Sequence, residues 1–277
     1  MSGRKLIAID LDGTLLGPDG LVSEATRDAY SQVLGAGHEV VIATGRTWYE
    51  STSVVDAIGH RGFGVFVGGA MTVDLARDAI VRRQAMDREL ARSTCDVLEQ
   101  HDLTPLVLQD REAAGVDYVF GPRPVPKDVL HWNARNDMKT RRVDDLAELD
   151  HVHTMRIGTL GPQRQTDAAR AELDRLHAGD IVTCQIDLAT YGVELLEVFD
   201  RTVNKWAGVS HIADKLGIKH GDVIAIGDDM NDLPMIEAAG LGVAMGNAKE
   251  PVQRAADRII DTHANDGLAE FLRELVG

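Results

Sequence analysis

Lys5-Leu6-Ile7-Ala8-Ile9-Asp10-Leu11-Asp12-Gly13-Thr14-Leu15 is the stretch from which the architecture can be read. Lys5 to Ile9 is a short apolar run that reads as a buried strand, and it stops at once on Asp, Gly and Thr. A carboxylate at the end of a parallel strand stands where open α/β sheets place their ligands. Side chains two apart in extended backbone point the same way, so Asp10 and Asp12 can converge on one reacting centre. Two carboxylates that close require a screening cation or a held proton. A nucleophile with an acid/base partner beside a metal meets that requirement. A solvated strand-end turn also favours Asp and Gly, so the rest of the chain must discriminate.

Working outward, Ser23 is placed to cap a helix running towards Gly35–Gly37. Glu39 to Ala43 is a second β-branched run, ending on Thr44-Gly45-Arg46. A helix from about Thr47 to Ile58 follows, then a third strand, Gly64 to Val67, ending on Gly68-Gly69. Strands alternating with helices predict an α/β fold with a doubly wound, mainly parallel, Rossmann-like sheet. The pattern then changes. Met71–Asp74 and Ala79–Gln84 read as a hairpin, 87–101 as a helix, and 104–109 and 115–120 as short strands. After a joint at Pro122, Pro124 and Pro126, the stretches 153–160, 166–177 and 181–187 continue an α+β pattern. The doubly wound pattern returns with a strand at Val193–Val198 and runs to a last amphipathic helix at Gly267–Val276. The expected organisation is a core in two parts, 1–84 and 191–277, with an inserted α+β domain at 85–190.

Three further strand ends carry chemistry. Gly227-Asp228-Asp229-Met230-Asn231-Asp232 follows the apolar run Asp222–Ile226 and opens a helix. Its hard oxygen donors, without His or Cys nearby, suit Mg²⁺ rather than zinc. A single acidic helix cap would need one such residue, not three. Thr44-Gly45-Arg46 offers a hydroxyl and backbone N–H groups that can cradle a phosphoryl oxygen. Lys205, entering a helix, can balance several carboxylates and a transferring phosphoryl group.

Composition sets the outer bounds. The chain has 277 residues, 44% hydrophobic and 26% charged, enough for one large domain or two modest ones. Its 29 Lys and Arg against 44 Asp and Glu give a net charge of −15, which disfavours nucleic acid and anionic membranes as partners. A small phosphorylated metabolite is not excluded, because a bound cation reverses the local field. Cys95 and Cys184 are too few and too separated for a disulfide framework or a zinc motif. No run approaches the roughly 20 apolar residues of a membrane span, and no signal-peptide core follows Met1. A reducing, cytoplasmic setting is expected. The oligomeric state is not readable.

The order Asp-x-Asp, Thr, Lys, acidic cluster, each at a strand end, resembles the four motifs of the haloacid dehalogenase superfamily over the whole chain. Asp10-Leu11-Asp12-Gly13-Thr14 resembles the first motif, Thr44 the second, Lys205 the third and Gly227-Asp228-Asp229-Met230-Asn231-Asp232 the fourth. The large insert between the second and third motifs, and the ending Asn265-Asp266-Gly267, resemble the Cof-type branch. The resemblance implies a doubly wound core with an inserted α+β cap, and Mg²⁺-dependent hydrolysis of small phosphate monoesters such as sugar phosphates. It implies that Asp10 is the nucleophile, forming an aspartyl-phosphate, and that Asp12 is the acid and base. Mg²⁺ would be held by the Asp10 carboxylate, the Asp12 backbone carbonyl and Asp228, with Asp232 in support. Thr44, Gly45, Lys205 and Asn231 would hold the phosphoryl oxygens, with Arg46 as a further substrate-binding residue. Two positions depart from the branch: Gly68-Gly69 stands where Asn-Gly is usual, and Lys205-Trp206 where Lys-Gly is usual. A phosphomutase or phosphotransferase using the same aspartate, or a phosphate-ligand sensor, are the alternatives. His151 and His153 form a lone His-x-His. Arg123, Lys127, Arg135, Lys139, Arg141, Arg142 and Arg156 give the insert local positive charge that could grip a second anion.

Overall fold

The structure, a computed structural model, describes residues 3–188 and 193–277. Its elements run β1 (Leu6–Ile9), α1 (Glu24–Gly35), β2 (Glu39–Ala43), α2 (Trp48–Ala57), β3 (Phe63–Phe66), β4 (Met71–Asp74) and β5 (Ala79–Arg83). There follow α3 (Arg88–Gln100), β6 (Leu106–Gln109), α4 (Arg111–Ala114), β7 (Tyr118–Phe120), α5 (Lys127–Arg135), β8 (Thr140–Arg142), β9 (Thr154–Gly161), α6 (Gln163–Leu176), β10 (Ile181–Leu188) and β11 (Val193–Asp200). The chain ends with α7 (Lys205–Leu216), β12 (Val223–Gly227), α8 (Leu233–Ala238), β13 (Leu241–Ala244), α9 (Glu250–Ala255), β14 (Arg258–Ile259) and α10 (Gly267–Val276). Two compact units result, residues 1–82 with 204–277, and residues 83–203.

The first unit is built on an eight-stranded sheet of order β14-β13-β12-β1-β2-β3-β4-β5. Its pairings from β14 to β3 are parallel, and β3–β4 is antiparallel. The alternation of β1 shows why such strands are apolar throughout. Ile7 and Ile9 pack with Val40, Ile42, Ile224 and Ile226 beneath Ala29, Tyr30, Leu268 and Phe271, from α1 and α10. Leu6 and Ala8 pack with Val41, Val65 and Ala225 against Val209 and Ile212 of α7 on the other face. Each fully buried side chain of this kind contributes about 1.5–3 kcal/mol. The helices start where the sequence supplies caps. Ser23 Oγ accepts from Thr26 N (3.1 Å) at α1. Thr47 and Glu50 form a reciprocal capping box at α2, which fixes the helix directly after Thr44-Gly45-Arg46.

The second unit carries a six-stranded sheet of order β10-β11-β9-β6-β7-β8. All its pairings are antiparallel except β7–β8. Leu90, Cys95 and Leu98 of α3, and Ala169 and Leu173 of α6, cover Val107, Val119, Ile157, Leu196 and Val198. Burial pushes the Cys95 thiol up, and Cys95 and Cys184 are not joined by a disulfide.

The strand at 193–198 was expected to reopen the first domain. Instead β11 pairs antiparallel with both β10 and β9, and the return comes at 204. An apolar run specifies burial but not the partner strand. The discriminating signal is charge: β11 carries Glu194 and Glu197, both buried, and Glu197 Oε1 meets Arg156 Nη1 at 2.5 Å. A parallel strand covered by helices on both faces, such as β12, has no place for them. The sequence pattern does not mark the short elements α4, α5 and β8, and Pro126 stands at the N-cap of α5 rather than only interrupting the chain. Among the described residues, no helix is long and apolar enough to cross a membrane.

Candidate active site

Strand register brings the motifs together. Ile9 pairs with Ile42 and with Ile226, so Asp10 leaves β1 level with Ala43 and Gly227. Thr44 and Asp228 follow one residue later, at the same carboxyl edge of the sheet.

At the centre lies a buried ionic group. Lys205 Nζ donates to Asp10 Oδ1 at 2.6 Å and to Asp232 Oδ1 at 2.5 Å. Lys205 is 1% exposed, Asp10 5% and Asp232 0%, so these are charges taken out of water and retained by one another. Burial and then the nearby Asp232 hold the Asp10 carboxyl well above the usual carboxylate range, against the pull of Lys205. Burial alone would lower the Lys205 ammonium, but the charges of Asp10 and Asp232 and their hydrogen bonds outweigh it and raise it. Burial, then Asp232 and Asp229, push Asp228 up to about 7. Too much negative charge is gathered here for one lysine to balance.

The fourth motif divides its labour. Asp229 Oδ1 caps the following turn by accepting from Met230 N (2.5 Å) and pairs with Lys249 Nζ at 2.6 Å. Asp232 Oδ2 accepts from Asp228 N (2.9 Å) and Asp229 N (3.0 Å) while its Oδ1 takes Lys205. Asp228 turns the other way, accepting from Thr14 Oγ1 at 3.3 Å. Gly13 permits that approach: at φ +78° it passes so close that a Cβ there would lie 2.2 Å from Asp228 Oδ2. Asn231 brings its amide to Gly45, where a Cβ would lie 3.6 Å from Asn231 Nδ2. Its Oδ1 is buried without a hydrogen-bond partner.

Oxygens of Asp10, Asp228 and Asp232 lie within 4.8 Å of one another, the one such metal-capable group among the described residues. This all-carboxylate set fits a hard divalent cation, which would also relieve the raised Asp10 and Asp228. Asp232 is fully buried, with Lys205 on Oδ1 and two backbone N–H groups on Oδ2, whereas Lys205 meets Asp10 at Oδ1 and each Asp228 oxygen accepts a single side-chain hydrogen bond, so Asp10 and Asp228 keep lone pairs for a cation. Asp12 stands apart from this group. Both its oxygens are taken by Arg46, Oδ2 by Nε at 2.7 Å and Oδ1 by Nη2. Thr44 Oγ1 accepts from Arg46 N at 3.2 Å.

A model of haloacid dehalogenase-like hydrolases matches residues 7–272. The chain belongs to this hydrolase family. It is of the Cof type, and is similar to the 5-amino-6-(5-phospho-D-ribitylamino)uracil phosphatases YcsE and YitU of Bacillus subtilis. Identity to each is 29%, over 98% of this chain and 96% of YcsE, and over 97% of this chain and 96% of YitU. A solved haloacid dehalogenase-like hydrolase from Bacteroides thetaiotaomicron superposes with a TM-score of 0.82 at 26% identity, covering 98% of this chain and 99% of that one.

The two departures from the Cof-type pattern now have physical readings. Gly68 adopts φ 63°, ψ 12°, a left-handed conformation that Asn tolerates, so Gly for Asn preserves the backbone and removes a side chain. Gly69, at φ +111°, is confined: a Cβ would lie 2.0 Å from Asn204 O, beside Lys205 N. The same turn donates Gly68 N to Thr44 O (3.0 Å) and Val67 N to Arg46 O (2.9 Å). It thus ties the second motif to the start of α7, where Asn204 caps the helix through Ala207 N (2.9 Å). Gly69→Ala is expected to shift Asn204 and Lys205, with a strain of about 1–3 kcal/mol read as a lowered Tm and a lowered kcat. Gly68→Asn should change neither Tm nor kcat appreciably.

Trp206 turns from the site. Its ring packs edge-on to His220 (5.2 Å between centroids) and against the apolar cluster beneath α7. His151 is buried and satisfied by Thr154 Oγ1 and Leu146 O, each at 3.0 Å. Several insert arginines are spent internally: Arg156 on Glu197 and Tyr118 Oη, Arg123 on Glu99 O, and Arg142 on Gly121 O. Sequence reasoning missed Asn247, whose Nδ2 reaches Gly13 O and Asp228 Oδ2.

Proposed function

We propose that this hydrolase is a Mg²⁺-dependent phosphatase of small phosphate monoesters, acting through an aspartyl-phosphate on Asp10. The observation that carries the reading is the buried Lys205, which holds Asp10 Oδ1 and Asp232 Oδ1 together at the carboxyl edge of a parallel sheet. With Oδ1 fixed, Asp10 Oδ2 attacks phosphorus as the bond to the leaving oxygen breaks. Asp12 gives that oxygen its proton, then takes one from the water that cleaves the acyl phosphate and releases inorganic phosphate. Thr44, Gly45, Lys205 and Asn231 position the phosphoryl oxygens. Asp10, Asp228 and the Asp12 backbone carbonyl would hold Mg²⁺, which supplies neutralisation of the phosphoryl charge. Asp232 supports that set from behind.

Arg46 has two parts in this scheme. Both Asp12 oxygens are engaged by its guanidinium, so acid chemistry requires the pair to part. An incoming phosphoryl group is an anion to which the fork can transfer. Residues 83–203 would act as a cap that selects the substrate in a cytoplasmic setting.

The test is phosphate release from a panel of monoesters, sugar phosphates and a ribitylaminouracil phosphate among them, with Mg²⁺ and with a chelator. Release from a subset, abolished by the chelator, is expected. Conversion to an isomer without free phosphate would replace the hydrolase with a mutase. Release undiminished by the chelator would contradict the metal.

A further inference from the structure

Asn247 lies three residues beyond β13, in the turn Met245-Gly246-Asn247-Ala248. Its Nδ2 donates to Gly13 O at 2.9 Å and to Asp228 Oδ2 at 3.3 Å, and its Oδ1 accepts from His263 N at 3.0 Å. These partners fix the amide orientation, because a carbonyl or carboxylate oxygen only accepts from Nδ2 and a backbone N–H only donates to Oδ1. One side chain therefore joins the loop after β1, the loop after β12 and the turn before α10.

The turn does not require that side chain for its own shape. Ala248 N donates to Met245 O (3.0 Å) and Met245 N to Gly227 O (3.0 Å). Gln253 Nε2 closes the turn from the far side, donating to Gly246 O and Ala248 O, each at 3.1 Å. The carboxamide is directed away from its own backbone and onto Asp228. With Thr14 Oγ1 on Oδ1 and Asn247 Nδ2 on Oδ2, the Asp228 carboxylate is gripped at both oxygens while Gly13 closes over it.

We infer that Asn247 is a positioning residue that orients the Asp228 carboxylate for the divalent cation. The inference rests on the reading of Asp10 and Asp228 as a Mg²⁺ site. A partner of this kind, touching a ligand but not the metal, commonly governs affinity by about 10- to 100-fold.

The test uses the full chain with Asn247→Ala, which removes the amide, and Asn247→Leu, which keeps bulk without an N–H. Mg²⁺ affinity is measured calorimetrically without substrate, beside Tm without metal and the Mg²⁺ concentration for half-maximal phosphate release. Both variants are expected to stay folded and to bind Mg²⁺ about 10-fold more weakly or worse, with the half-maximal concentration rising in parallel. A folded variant with wild-type Mg²⁺ affinity overturns the assignment. So does unfolding of both variants, which would make Asn247 a fold residue. Wild-type protein that binds no Mg²⁺ would instead overturn the metal site itself, and the inference with it.

Discussion

Asp10→Asn is expected to abolish turnover and leave the protein folded. Asn is nearly isosteric, and its Oδ1 can still accept from Lys205. It cannot form an acyl phosphate, so the loss should be on the order of 10⁴- to 10⁶-fold in kcat, the scale for removing a covalent nucleophile. The fold should not suffer. The Asp10 carboxyl is held well above its ordinary range, chiefly by burial, which means that ionising it costs the native state stability near neutral pH. Removing the charge removes that cost, so Tm without metal should equal or exceed wild type. Thermal unfolding beside phosphate release measures both. A folded variant with substantial activity would sink the assignment of Asp10 as nucleophile.

Lys205→Met should fail in the opposite manner, losing stability together with activity. It leaves Asp10 and Asp232 buried without their shared cation. Breaking a buried ion group by removing one member costs about 3–5 kcal/mol. The loss of a preorganised positive group beside the transferring phosphoryl costs about 10²- to 10³-fold in kcat. The pH dependence has a definite sign. The Lys205 pKa is raised in the folded state, so its stabilisation is fully present below the ordinary lysine pKa of about 10.4 and fades only in stronger alkali. The wild type–variant difference in Tm should therefore persist through neutral pH. It should narrow as pH falls and Asp10, whose carboxyl is held well above the usual carboxylate range, takes up a proton and no longer needs a counter-charge. A variant as stable as wild type at neutral pH would contradict the buried ionic centre.

The legibility of this molecule in its sequence follows from geometry. Asp10, Thr44 and Asp228 could be found because parallel strands expose their carboxyl ends in register, and each ends an apolar run on a polar residue. Lys205 has no such mark of its own, since a lysine entering a helix is ordinarily solvated. Only its order among the motifs singled it out, and the structure gives it a buried place between two carboxylates. At its strand end Arg46 reads as a substrate contact; in the fold it grips Asp12, a pairing across 34 positions that no local pattern encodes. Asn247 was missed for the same reason: a lone Asn in a Gly-Asn-Ala turn looks like turn chemistry, and its three partners come from three distant segments. The displaced domain boundary has a different cause. Its apolar run marks β11 as a strand, but only its buried Glu194 and Glu197, the sign of an antiparallel sheet with polar networks, mark which sheet it joins.

The most direct measurement is rapid quenching of the wild-type enzyme during turnover of a good phosphate monoester with Mg²⁺, followed by peptide mass spectrometry. The account predicts a phosphoryl group on the peptide containing Asp10, removed by hydroxylamine and absent from Asp10→Asn. Steady phosphate release with no phosphorylated peptide, or with the group on another residue, would contradict it.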